Sequence, residues 1–107
     1  MQVKKLPNAA AHVITVSSTA GSLTSFIAAA ASADVDLTGQ NAVDLIARTN
    51  GFTFLDDDNT PTATNGFQIA VGGVAQLRGV DLTNIQLIRT GASDAVIEVR
   101  VGKTYAV

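Results

Sequence analysis

The sequence predicts a mainly β domain, a small β-sandwich or jelly-roll-like barrel with one short helix. Three observations lead there. About seven short apolar runs recur at spacings near ten residues, the rhythm of an all-β fold. Turn-forming stretches (Asn50-Gly51, Asp56 to Thr62, Gly72-Gly73) separate them. Only one segment carries helical periodicity. The chain has 107 residues, enough for one domain.

Residues 1–9 read as an extended arm. Lys4 and Lys5 charge it, and Pro7 blocks regular pairing there. Such an arm either frays or orders against a neighbouring subunit. Residues 10–107 then form the domain. Val13 to Val16 is a β-branched run and hence a strand. Ser22 stands where an N-cap would, ahead of LTSFIAAAASA. Leu23, Phe26, Ile27 and Ala30 share one face at i, i+3, i+4, i+7, so a helix runs from Leu23 toward Asp34. Its alanine face is small enough to pack closely against a sheet.

From Val43 the pattern turns to strands. Val43 to Arg48 partly alternates, and Asn50-Gly51 follows, the strongest two-residue hairpin signal. Phe52 to Leu55 reads as the return strand, with Phe52 and Phe54 on the core face. The other two Phe residues, Phe26 and Phe67, also read as core. Asp56 to Thr62 is an irregular loop. Phe67 to Val71, Val74 to Arg78 and Ile85 to Arg89 are further strands. In the last, Ala95 to Val101, the residues Ile97, Val99 and Val101 face the core while Val96, Glu98 and Arg100 face away.

Composition removes much chemistry. Apolar residues make up 47% and charged residues 15%, which is not the signature of a disordered chain. There is no cysteine, so thiol nucleophiles, disulfides and thiolate metal sites are absent. A single histidine, His12, cannot build a multi-histidine site. Seven Lys and Arg residues against nine Asp and Glu give a net charge of −2. They are scattered, and no basic patch for nucleic acid is visible. The apolar run Phe26 to Ala31 is too short to span a bilayer. Pro7, Asn8 and His12 interrupt anything resembling a signal-peptide core. The chain therefore reads as a mature soluble protein with no membrane or nucleic-acid partner.

Several constellations invite chemistry and lack its requirements. Asp56, Asp57, Asp58 and Asn59 offer hard oxygen ligands for a cation such as calcium. Yet an EF-hand loop starting at Asp56 needs its turn glycine at Pro61 and its bidentate glutamate at Phe67. A solvated loop is the simpler reading. Asp44, Asp81 and Glu98 show no spacing that pairs carboxylates for acid–base work. Ser17 and Ser18 with His12 suggest a hydrolase, but no third orienting group or GxSxG accompanies them. GxxxxGK[ST] and GxGxxG are absent, and turns account for the glycines. Arg89 and Arg100 read as residues for interchain or cross-strand ion pairs, with Asp94 and Glu98 as nearby acidic residues. The expectation is no enzyme, no cofactor and no metal.

The segment LDDDNTPTATNGFQIAVGG, Leu55 to Gly73, resembles a stretch of small tailed-phage virion proteins. There a strand enters an aspartate-rich turn, then T-P-T-A-T-x-G, then an apolar strand. NIQLIRTGASDAVIEVRVG, Asn84 to Gly102, is similar as well, and the order SLTSFIAAAASADVDL then NAVDLIAR is compatible. The resemblance covers most of residues 13–102. The family is that of phage head decoration (cement) proteins. It implies a non-enzymatic domain that assembles as homodimers or homotrimers on the outer capsid surface, with the major capsid protein as partner. The contact candidates are the arm residues Lys4, Lys5, Leu6 and Pro7 and the loop residues Asp57, Asp58, Asn59 and Thr60. The arm is favoured, as loops at the opposite end would face solvent. The competing readings are a tail or head–tail accessory and a carbohydrate- or receptor-recognition module. The last lacks an aromatic platform, since there is no Trp and only Tyr105.

Overall fold

The computed structural model describes residues 10–31, 37 and 39–102. The arm candidates Lys4, Lys5, Leu6 and Pro7, and Tyr105, lie outside the described residues. The strands are β1 (Ala10–Val16), β2 (Gly21–Ser22), β3 (Ala42–Thr49), β4 (Phe52–Leu55), β5 (Phe67–Ile69), β6 (Val74–Arg78), β7 (Gln86–Arg89) and β8 (Ala95–Gly102). The helix α1 (Leu23–Ala31) follows β2, and a 3-10 turn (Leu82–Asn84) precedes β7.

Two four-stranded antiparallel sheets result, ordered β1-β8-β3-β6 and β2-β7-β4-β5. This is the order of a jelly roll. The ladders β4–β5, β3–β6, β2–β7 and β1–β8 nest inside one another. The first half of the chain thus runs antiparallel to the second, as one long hairpin wrapped into a sandwich. The expected class is correct. The strand not foreseen is β2, whose two residues are too few to carry a periodic signal.

Alternation supplies the core. β8 turns Ala95, Ile97, Val99 and Val101 inward, and β3 turns Val43, Leu45 and Ala47 inward. Phe52, Phe54 and Leu87 meet them from the second sheet. Leu23 and Ile27 of α1 are fully buried, and Phe26 packs against the same cluster. The helix lies along β1 and β2, on one open side of the sandwich. Ser22 caps it, its Oγ accepting from Ser25 N–H at 3.1 Å. The alanine face does not pack on a sheet: Ala29, Ala30 and Ala31 are exposed. Leu23, Phe26 and Ile27 already fill the buried stripe, and alanine is a strong helix former that needs no burial.

Asn50-Gly51 does not close a hairpin. β3 and β4 belong to different sheets, so the pair forms an arch across the sandwich. β3 has β8 and β6 as its neighbours, and β4 has β7 and β5. A left-handed Asn50 (φ 63°) before glycine serves an arch as well as a turn. Glycine is required at 51, where a Cβ would lie 2.7 Å from Ile69 O.

Phe67 corrects a second expectation. It sits on the edge strand β5 and is 58% exposed, although its ring centroid lies 5.3 Å from that of Phe54. No strand continues the sheet beyond it among the described residues.

Candidate functional site

Loops gather at two poles. Backbone hydrogen bonds run from Asn41 N to Gly102 O, from Val80 N to Asn41 O and from Asp58 N to Asn84 O. They tie the start of β3, the end of β8 and the 56–66 and 79–85 loops into one pole. β1 also begins there, since Ala10 pairs with Val101. The loop candidates Asp57, Asp58, Asn59 and Thr60 are exposed at this pole. They are therefore at the pole where β1 begins.

Among its described residues this pole is acidic. Among the described residues all four arginines are in ion pairs: Arg48 and Arg100 with Glu98, Arg78 with Asp44, and Arg89 with Asp94. Among the described residues the carboxylates without such a partner are Asp56, Asp57, Asp58 and Asp81. Asp57 Oδ1 accepts from Asn59 N–H at 3.2 Å, and Asn59 holds the Asp57 carboxyl below its usual range. Thr83 does the same for Asp81, donating from both its hydroxyl (2.6 Å) and its amide (3.0 Å). Asp58 takes a left-handed conformation (φ 66°). Among the described residues no three carboxylates or imidazoles converge as a metal site would require.

The segment after the aspartates has a structural task. Thr62 and Asn65 exchange backbone hydrogen bonds, and Thr62 Oγ1 accepts from Asn65 N–H at 2.9 Å. The resulting turn folds over the outer face of the second sheet and buries Pro61 and Thr53. Ala63 O accepts from Thr53 Oγ1 (3.2 Å) and from Gln68 Nε2 (3.1 Å). Thr53 Oγ1 also lies 3.1 Å from Thr90 Oγ1. Gly66 permits the close approach, as a Cβ there would fall 2.7 Å from Thr53 Cγ2.

The outer face of the first sheet carries the charge ladder. Arg100 Nε donates to Glu98 Oε2 at 3.0 Å, and Arg48 reaches the other carboxylate oxygen. A bulge between Ala47 and Thr49 aims Arg48 that way. Arg48, with Arg100, holds the Glu98 carboxyl below its usual range despite burial. Arg78 Nη1 lies 2.8 Å from Asp44 Oδ1 while donating to the carbonyls of Leu77 and Val43. That pair is close but not aligned as a hydrogen bond, and Arg78 Nη2 is left without a partner. Arg89 and Arg100 do pair with Asp94 (2.6 Å) and Glu98, but the first pair joins β7 to the turn after it and the second runs along β8, so neither is cross-strand.

The serine–histidine idea fails on geometry. His12 and Ser17 are five residues apart along β1, roughly 16 Å at the rise of a strand. Ser17 Oγ hydrogen-bonds its own turn at Thr19.

Sequence reasoning missed a shallow cleft of about 470 Å³ at the opposite pole. Asn50, Gly51, Gln68, Ile69, Ala70, Val71, Thr90 and Gly91 line it. Three separate turns supply these residues, so no local pattern announces them. The cleft holds no ionisable side chain, which excludes acid–base work by its own lining. Its polar groups are engaged: Asn50 Nδ2 donates to Asp94 O, Gln68 Nε2 to Ala63 O, and Thr90 meets Thr53. No aromatic ring lines it, and Asp57 lies at the other pole. Among the described residues no helix is long and apolar enough to cross a membrane. No protein-family model, curated protein or solved structure matches this chain.

Proposed function

We propose that this protein is a structural component of a tailed-phage virion that binds the outer capsid surface and stabilises the shell. The observation that carries the reading is the resemblance of Leu55–Gly73 and Asn84–Gly102 to phage decoration proteins. In the fold, the first of these segments supplies the acidic loop, the flap over Thr53 and the edge strand β5. Its distinctive residues thus shape the surface rather than the core.

The mechanism is mass action. A ligand that binds the assembled shell and not its free subunits stabilises the shell by its binding free energy. Repeated copies on a lattice raise the local concentration of each contact. The contacts with the major capsid protein are assigned to Lys4, Lys5, Leu6 and Pro7 and to Asp57, Asp58, Asn59 and Thr60. β1 begins at the pole that holds the loop.

Quantitative mass spectrometry of purified source particles tests the reading. The expected result is a copy number in the hundreds, near a simple ratio to the major shell protein. A handful of copies per particle, or none, overturns it. Deleting residues 2–8 is expected to abolish capsid binding and leave the melting curve unchanged. Full binding by a folded deletion variant removes the arm from the contact.

A further inference from the structure

We infer that the open edge of β5 is a self-pairing surface, through which two copies join their second sheets about a two-fold axis at Gln68. The argument begins with the direction of the backbone groups. Ile69 O lies against Gly51, and Phe54 O lies against Gly66. With the register Phe52↔Ile69 and Phe54↔Phe67, these two pairs exchange the ladder hydrogen bonds with β4. The N–H and C=O of Gln68, midway between them, therefore point out of the sheet edge. An edge that presents free donors and acceptors is a template for another strand.

The occupant follows from charge. Residues 59–77 contain no charged side chain. Native edge strands are guarded by short length, lysine, proline or a bulge; β5 is short, at three residues, and carries none of the other three. Two antiparallel copies centred on Gln68 place Phe67 opposite the partner's Ile69, with no like charges facing. The strand is thus complementary to itself, as an isologous contact requires. Apolar exposure is concentrated in the same place. Among the described residues Phe67 (58%), Val71 (61%) and Val74 (49%) are three of the four large exposed apolar residues, and they lie on β5 and the crossover that leads from it to β6 in the other sheet. The opposite side of the sandwich is already lined by α1. Pairing gives one eight-stranded sheet, β2-β7-β4-β5 followed by the same strands of the second copy in reverse. It holds whether or not the virion reading does, because it uses only this chain's own edge.

Analytical ultracentrifugation of the full chain from about 1 µM to 1 mM, the range of weak association, tests the pairing. The expected mass rises from 11.0 kDa for one chain to twice that. Gln68→Pro removes an outward N–H and no bond to β4, so it is tolerated at an edge and abolishes the rise. Gln68→Lys sets two ammonium groups opposite each other and gives monomer alone, as does Gln68→Glu with two carboxylates. An equimolar mixture of those two variants regains the dimer mass, which fixes the register even if the proline variant fails to fold. A wild-type chain that stays monomeric overturns the inference. So does a trimer, or a dimer that a folded Gln68→Lys variant forms equally well.

Discussion

Thr53→Val isolates what holds the 61–65 flap to the sheet. The substitution keeps the branched outline and removes one hydroxyl. That hydroxyl sits at 0% exposure, 3.2 Å from Ala63 O and 3.1 Å from Thr90 Oγ1. Two hydrogen bonds of about 1 kcal/mol net each are lost. The added methyl recovers up to about 0.8 kcal/mol if it is well buried. Ala63 O keeps the Gln68 amide and the half-buried Thr90 can reach water, so neither is orphaned. The expected loss is about 1–2 kcal/mol. For 107 residues at about 2.1 cal/mol/K each, Tm falls by roughly 4–9 °C. Far-UV circular dichroism melts measure it, and limited proteolysis within 59–66 reports flap release. Thr90→Val completes a double-mutant cycle. The shared contact makes the double variant less damaged than the sum, by about 0.5 kcal/mol or more. A Tm within about 1 °C of wild type refutes the reasoning, because no term in the account is small enough to produce it. Strict additivity removes the Thr53–Thr90 contact from it.

The other predictions concern core, cap and pH. Phe52→Ala, at a fully buried ring between the sheets, is expected to cost about 3–5 kcal/mol in urea titrations; a loss below about 1.5 kcal/mol contradicts the packing described. Ser22→Ala removes the cap on Ser25 N–H and is expected to cost about 1 kcal/mol, read as a lower midpoint with an unchanged m-value. Glu98 has a folded pKa below its unfolded value, chiefly through Arg48. Its stabilisation is complete above about pH 4.3 and fades as pH falls through the lower folded value. Melts from pH 7 to pH 2.5 are therefore expected to show Glu98→Gln less acid-sensitive than wild type, and parallel curves would contradict the sign.

Much of this fold is legible because its strands alternate against a single core. Ile97, Val99 and Val101 face inward and Val96, Glu98 and Arg100 face away, as the two-residue period requires. The Ser22 cap and the Arg89–Asp94 and Arg100–Glu98 pairs are legible because each is settled within a few residues along the chain, whereas Arg48–Glu98 and Arg78–Asp44 join residues far apart in sequence. What escapes is decided at long range. Asn50-Gly51 encodes a reversal and is silent on whether the next strand lies beside β3 or across the sandwich from it. Phe67 looks like core because aromatic residues in strands usually are. Its exposure follows from β5 being last in its sheet, a matter of strand order rather than of sequence. The candidate sites show the same division. The aspartate loop is plain in the sequence, whereas the cleft at Asn50, Gln68 and Thr90 exists only once three turns meet.

The nested ladders carry a kinetic consequence. β4–β5 closes a loop of about 11 residues, while β1–β8 spans about 78, and closure entropy alone sets these apart by roughly 1.7 kcal/mol. Each inner ladder, once formed, shortens the span left for the next. The cheapest route therefore zips outward from β4–β5, through β3–β6 and β2–β7, to β1–β8. Contacts so distant in sequence place refolding in the millisecond-to-second range of all-β domains. The last ladder to close is the one that joins the two ends of the domain, Ala10 to Val101. Until it forms, the chain carries an unpaired β8 edge, and that interval is when wrong partners can capture it.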